Sequence, residues 1–219
     1  MKSTKSQLNM HYEACPKKLE ARQQTIINVH RKLFGNSIPK DKQYWSICGR
    51  CSYENGKLVN LCEPDQLIKA KLIRPQQFYG VEIEPTIYQF NKNSNRDINW
   101  LLGDFYDTMV EYSNHNKFNP AIINCDMLLM PKCGVEYLSR ILHFITSLKI
   151  KNVMIVCNMI MKTRQHVAKA EDIISGLEKE SCFQASMNEC DWKIYNQFYW
   201  YNGTGKTRTK MGTIILFKY

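Results

Sequence analysis

The sequence contains no long apolar run, no internal repeat and fewer acids than bases. No stretch of its 219 residues is long and apolar enough to cross a bilayer, and the polar N-terminus, Met1 to Gln7, lacks the apolar region of a signal peptide. The nine cysteines are an odd number and are scattered, so they do not form a small disulfide framework. These absences predict a cytoplasmic protein with no membrane partner.

A metal site is also incomplete in the sequence. Cys48 and Cys51 have the spacing of half a zinc site, and Cys62 follows a short way on. A structural zinc ion normally needs four ligands, and no second close pair follows. Buried or loop thiols therefore explain these cysteines better, and we expect no bound metal.

Basic residues outnumber acids. The chain has 30 Lys+Arg against 20 Asp+Glu, for a formal net charge of +10. This balance favours a polyanionic partner or an anionic ligand through long-range attraction. The many lysines, asparagines and isoleucines are typical of AT-rich genomes, and a bacteriophage origin is one hypothesis.

The N-terminal part carries a basic amphipathic helix. Apolar residues between Tyr12 and Phe34 recur at helical spacing among lysines and arginines, and Gly35 ends the pattern. Two interpretations are open: the helix packs on the core edge, or its basic face binds a phosphate backbone. We divide the chain into residues 1–40, a tail with this helix, and residues 41–219, the main domain.

The main domain alternates short buried strands with helices, which predicts an α/β fold with a mostly parallel sheet. Three of the strands end in an acid, at Glu82, Asp104 and Asp126. Two β-rich runs near the C-terminus predict a closing antiparallel hairpin. The predicted strands are Tyr44 to Gly49, Phe78 to Glu82, Ile98 to Phe105, Ala121 to Asp126 and Val153 to Cys157, and the hairpin pairs Trp192 to Tyr201 with Met211 to Tyr219.

Glu82 is the first candidate for a binding residue. It ends a buried strand, and Pro85 then supplies the fixed φ of a first helical turn. In open α/β sheets ligands bind beyond the carboxyl ends of the strands, where an acid can accept both hydroxyls of a ribose. Alternatively, Glu82 is an ordinary solvated acid that stabilises the helix dipole.

The order of these three acids and the closing hairpin resembles the class I, Rossmann-like, S-adenosylmethionine-dependent methyltransferases. The resemblance covers about Tyr44 to Tyr219 and implies a three-layer sandwich with a seven-stranded sheet whose last strand is antiparallel. It implies that Glu82, with Ile83 beside it, binds the ribose of S-adenosylmethionine. Asp104 would face the adenine amino group, Phe105 would line the adenine ring, and Asp126 would lie near the methionine and the methyl group.

The first-strand motif departs from the family pattern. The family has a glycine-rich loop, whereas here Gly49 is followed by Arg50 and Cys51. Gly49 allows close backbone approach to a cofactor. Either the long following loop, Arg50 to Leu61, binds the cofactor differently, or the domain retains the architecture without the activity.

The candidate catalytic residues are Asp126 and Lys162, two members of an arrangement that would converge on a ribose hydroxyl. Aromatic residues from Tyr195 to Tyr201 either stack on bases or pack on helices, beside a basic hairpin rim formed by Lys206, Arg208 and Lys210. The leading hypothesis is a methyltransferase acting on nucleic acid or another polyanion. The alternative is a catalytically inactive module of the same fold that binds nucleic acid or a protein.

Overall fold

A computed structural model describes residues 16–49, 52–54, 57–59, 62–126, 131–162, 191–195, 199–202 and 210–219. The N-terminal helix consists of α1 (Pro16–Arg22), a π-helical turn (Gln23–Ile27) and α2 (Asn28–Phe34). The remaining helices are α3 (Glu63–Lys69), α4 (Pro85–Ser94), α5 (Phe105–His115) and α6 (Pro131–Ser147), with a 3-10 turn at Pro75–Gln77. None of the described helices is long and apolar enough to cross a membrane.

The strands are β1 (Gln43–Ile47), β2 (Ser52–Glu54), β3 (Lys57–Val59), β4 (Phe78–Glu82), β5 (Asn99–Leu102), β6 (Pro120–Asp126), β7 (Val153–Lys162), β8 (Lys193–Ile194), β9 (Tyr199–Asn202) and β10 (Lys210–Lys218). The main sheet has the order β5-β4-β1-β6-β7-β10-β8, and β9 also pairs with β10. Strands β2 and β3 form a separate hairpin within the predicted loop.

Parallel pairing accounts for the sheet from β5 to β7. The first six residues of β6 are all buried, because helices cover both faces of a parallel sheet and leave no strand face in water. Strand β10 then runs antiparallel to β7 over its whole length, and β8 and β9 pair with successive parts of β10. The predicted Rossmann-like fold with an antiparallel C-terminal closure is confirmed.

The core has two parts, one on each face of the sheet. Trp45 and Tyr44 are neighbours on β1, so their side chains point to opposite faces, and both are fully buried. Trp45 packs in the cluster that includes residues of α5 and α6, and Tyr44 packs in the cluster that includes the N-terminal helix and α3. Ile26 and Ile27 therefore share a core with the main domain.

The turn after β5 differs from the sequence expectation. The predicted third strand continued to Phe105, but β5 ends at Leu102 and Phe105 begins α5. Gly103 has a φ of 147°, a conformation that favours glycine. Asp104 caps α5 by accepting the backbone N–H groups of Tyr106 and Asp107 at 2.9 and 3.2 Å. The strand therefore does not continue to Phe105, because the backbone after Asp104 forms helical hydrogen bonds instead of pairing with β4.

Candidate active site

Glu82 lies at the carboxyl end of β4, half-buried, directly opposite Leu102 of β5. Its Oε1 atom accepts the backbone N–H of Glu84 at 3.0 Å, which orients the carboxylate at the corner before α4. Two large apolar side chains are exposed beside it, Ile83 at 69% and Leu102 at 48%. The corner therefore combines a carboxylate acceptor with exposed apolar surface, a combination suited to a ligand with hydroxyls and an apolar ring.

Asp104 lies at the end of the neighbouring strand and is already engaged. Besides capping α5, its Oδ1 accepts a hydrogen bond from the Tyr137 hydroxyl at 3.1 Å. Phe105 is 4% exposed and belongs to the core, so its ring faces away from the surface. This placement departs from the expectation that the Phe105 ring lines an adenine, because burial in the core stabilises the apolar ring more than an exposed edge position.

Asp126 ends β6 and forms an ion pair with Lys18 of α1. The Lys18 Nζ and Asp126 Oδ2 atoms are 2.7 Å apart, and the two side chains are 18% and 10% exposed. Burial raises the pKa of Asp126, but attraction to Lys18 and its hydrogen bond, followed by smaller contributions from Arg22 and Asn158, lower that pKa below the ordinary value of 3.8. Asp126 is therefore ionised at neutral pH and held beside a cation.

A buried polar network lies next to this pair. Glu63, at the start of α3, is fully buried and accepts hydrogen bonds from the Tyr44 hydroxyl at 2.7 Å and the Asn124 amide at 2.9 Å. Arg22 of the N-terminal helix lies 3.6 Å from the Glu63 carboxylate. Since a buried carboxylate is costly without charge and hydrogen-bond partners, this contact stabilises the observed position of the N-terminal helix.

The N-terminal helix leaves little space over Asp126. The cavity between them measures about 10 Å³ and is lined by residues of the helix and of β6 and β7, among them Lys18, Arg22, Asn124, Asp126 and Asn158. A volume of this size holds about one water molecule. Among the described residues, the space between the helix and Asp126 therefore has no room for a molecule larger than water while the helix is in this position.

Gly49 follows β1 at the same edge of the sheet. Its carbonyl oxygen accepts a hydrogen bond from the amide of Asn91, a fully buried residue of α4, at 3.2 Å. This bond ties the backbone of the first loop to the helix that begins beside Glu82. Arg50 and Cys51 lie outside the described residues. Cys48 and Cys62 are buried, and within the described part of the chain no group of histidine, cysteine, aspartate or glutamate side chains could hold a metal ion.

Lys162 lies away from Asp126 along the sheet. Asn158 is the β7 residue opposite Asp126, and Lys162 is four residues further on, at the end of β7. That separation corresponds to about 13 Å along a strand. The lysine that meets Asp126 is Lys18 instead. The predicted basic rim residues Lys206 and Arg208 lie outside the described residues, and Lys210 is described only as the β10 residue opposite Lys162.

Glu82, Ile83, Asp104 and Asp126 thus come to one edge of the sheet, as the sequence predicts for strand ends. Lys18, Arg22, Glu63 and Leu102 are site residues that the sequence analysis missed. Leu102 had a local signal, since it is the last apolar residue before Asp104 in the predicted third strand. Lys18 had no such signal, because it is 108 residues from its partner and resembles the other bases of an amphipathic helix.

Comparison with known proteins bears on the fold. No protein-family model and no curated protein sequence matches the chain. Among solved structures, the delta-N METTL16 methyltransferase domain has 12% identity and a TM-score of 0.52, over 93% of this chain and 83% of that one. Trm5b from Pyrococcus abyssi has 10% identity and a TM-score of 0.51, over 92% of this chain.

A third structure, LepI in complex with SAM, has 12% identity and a TM-score of 0.50, over 90% of this chain and 48% of LepI. The chain spans about half the length of Trm5b as well, 49% of it. At these identities the likeness concerns the fold. Together with the strand order, it shows that the chain has the Rossmann-like fold of class I methyltransferases.

Proposed function

We propose that this chain, which has the class I methyltransferase fold, is an S-adenosylmethionine-dependent methyltransferase. The observation that carries the proposal is the corner at the end of β4, where the Glu82 carboxylate lies beside the exposed side chains of Ile83 and Leu102. LepI, one of the structures with this fold, is a complex with SAM.

The residues present fit the nucleoside half of the cofactor. The Glu82 carboxylate has the acceptor capacity for two ribose hydroxyls, and the exposed apolar side chains of Ile83 and Leu102 offer contact to an adenine ring. The Asp104 carboxylate, which accepts from Tyr137 and the α5 backbone, fixes the edge of this surface. When bound, S-adenosylmethionine supplies an electrophilic methyl group on a sulfonium centre.

Asp126 and Lys18 are the residues we assign to the acceptor side. Because Asp126 remains ionised, it can accept a hydrogen bond from the amino or hydroxyl group of an acceptor and orient its lone pair. The Lys18 ammonium can hold an anionic part of the same molecule. Use of these groups requires the N-terminal helix to move, since the present cavity has room for about one water molecule.

The proposed acceptor is a nucleic acid or another polyanion, in keeping with the net charge of +10. The contribution of the N-terminal helix to this interaction is reduced in the present conformation. Lys18 contacts Asp126, Arg22 is 6% exposed, and Arg31 donates to the Ala70 carbonyl at 2.7 Å. Methylation of oligonucleotides with S-adenosylmethionine carrying a radiolabelled methyl group tests the acceptor.

A second candidate function is a catalytically inactive binding module of the same fold. The closed cavity over Asp126 favours it, because the acceptor side is occupied by the protein's own lysine. The single glycine of the first-strand motif, followed by Arg50 and Cys51, also favours it. Cofactor binding without methyl transfer to any offered polyanion would support this alternative.

The decisive experiment is calorimetric titration with S-adenosylmethionine and S-adenosylhomocysteine. Glu82→Ala removes the acceptor of two hydroxyls, and since hydrogen bonds to charged groups contribute about 1.5–3 kcal/mol, we expect binding at least about 100-fold weaker. The matched control is Glu111→Ala, which removes an exposed carboxylate from α5. Absence of heat from the wild-type protein at millimolar ligand, or equal loss in both variants, would refute the proposal.

A further inference from the structure

Two adjoining clefts lie at the amino-terminal edge of the sheet, opposite the candidate active site. The first, of about 420 Å³, lies beside the amino ends of β1, β4 and β6, and the second, of about 580 Å³, lies between the segments around Ile38 and Leu72. Both volumes are in the range of ligand-binding pockets, about 300–1,000 Å³. Lys40, Arg74 and Gln77 line both clefts, so we treat them as one groove, the amino-edge groove.

The groove is strongly basic. Its lining contains five basic side chains and one acidic side chain: Lys40, Lys42, Lys71, Arg74 and Lys117, against Asp41. Lys40, Lys71 and Arg74 are exposed, and none of the three forms an ion pair with another described residue. Uncompensated positive charge along a concave surface concentrates the field on an anion that enters it.

The walls of the groove are held rigidly by buried amides. The Gln77 side chain donates to the carbonyls of Pro39 and Lys42 at 2.6 and 3.0 Å, and its oxygen accepts the backbone N–H of Arg74 at 3.0 Å. Gln43 donates to the Lys117 carbonyl at 2.9 Å. The segments that carry the cations are therefore positioned before any ligand arrives, which lowers the entropy cost of binding.

The two halves of the groove differ in their other side chains. The apolar side chains of the second cleft that keep exposed surface are Pro39, Ile68 and Pro75, whereas Ile38, Leu72 and Ile73 are buried behind them in the core. In the first cleft Tyr112 donates to the Tyr79 hydroxyl at 3.1 Å, beside exposed Gln76 and Asn116. Apolar surface beside several cations suits a ligand whose flat rings are joined by anionic groups. The polar side chains can form hydrogen bonds with the edges of those rings.

From this combination we infer that the amino-edge groove is a binding site for single-stranded nucleic acid, with phosphates at Lys40, Lys71 and Arg74 and bases against the cleft floors. The site is separate from the cofactor corner: the seven-residue strand β6 spans about 20 Å between the two edges of the sheet. The inference does not depend on methyl transfer, because the groove shares no residue with Glu82, Asp126 or their contacts.

The test is fluorescence anisotropy of labelled twelve-nucleotide oligo-U and oligo-dT with the full chain, over a range of salt concentrations. The variant Lys40→Gln/Arg74→Gln removes two phosphate contacts. For single strands each contact contributes about 0.7 to the slope of log affinity against log salt, so the slope should fall by about 1.4. At about 0.1 M salt the affinity should then fall about 25-fold, and about fivefold for Lys40→Gln alone.

The matched control is Lys193→Gln/Lys218→Gln, which removes the same charge from the same amino-terminal edge of the sheet, but from β8 and β10, which do not line the groove. It should lower the affinity by less than about threefold at this salt concentration, through the net charge alone. Equal losses in the two double variants would overturn the inference, as would equally strong displacement by polyglutamate. Tighter binding of oligo-U or of oligo-dT shows whether the bound strand is RNA or DNA. Titration with S-adenosylmethionine should be unchanged in both variants, so a failure of the proposed enzyme function remains distinguishable.

Discussion

The ion pair between Lys18 and Asp126 offers the sharpest test of how the N-terminal helix covers the candidate active site. The perturbation is a double-mutant cycle with Lys18→Met, Asp126→Asn and the double variant. The two atoms are 2.7 Å apart and the side chains are 18% and 10% exposed. At an effective dielectric constant of about 20, unit charges at about 4 Å attract by about 4 kcal/mol, and desolvation offsets part of this. We expect a coupling free energy of about 2 kcal/mol.

The assay is urea unfolding of the four proteins at neutral pH, with the coupling taken from the cycle. Lys18→Met alone should be the most damaging change, because it leaves an ionised Asp126 in a buried site. The pH dependence provides an independent readout. In the wild type the pKa of Asp126 is lowered, so this carboxylate contributes stability at pH values above 3.8, its ordinary pKa. That contribution is lost as the pH falls through the lowered pKa.

In Lys18→Met the same carboxyl keeps its burial but loses its closest cation, so its pKa should rise. Acidification should then stabilise this variant relative to the wild type, and the difference between the two proteins should shrink towards low pH. A coupling free energy below about 0.3 kcal/mol, or parallel pH profiles, would refute the placement of the helix over Asp126.

Two further predictions concern the core that supports the site. His30 is 1% exposed, and burial lowers its pKa from 6.5 to about 4; stability should therefore be present above pH 6.5 and fall by about 3 kcal/mol as the pH approaches 4. Urea unfolding should show a flatter profile for His30→Gln but not for the exposed control His143→Gln, and an unchanged profile in His30→Gln would contradict the assignment. Gly80→Ala would place a Cβ atom against the Trp100 ring and should cost about 1–3 kcal/mol in chemical denaturation. Gly134→Ala in α6, where the three atoms nearest to the added Cβ all belong to the flexible Met159 side chain, should cost much less, and equal losses would count against this packing.

The sequence alone was sufficient to predict the position of much of the sheet. The strand at Phe78–Glu82 and the helix from Pro85 to Ser94 lie where the apolar run and the proline predict them. Their signals are local: a run of buried residues, a fixed φ, a turn. The helix α5 was missed although Asp104 is a good N-cap and Phe105 and Met109 have helical spacing, because the preceding apolar residues extend the strand pattern.

What surrounds each strand end was decided by the tertiary structure. Asp126 could be assigned to the edge of the sheet from its position after an apolar run, but its cation comes from the N-terminal helix and not from Lys162. The amino-edge groove likewise depends on separate segments around Lys40, Arg74 and Lys117. Backbone preferences act over a few neighbouring residues, so they can be predicted from the sequence. The partner of a charged side chain depends on packing between distant segments, which come together only in the folded chain.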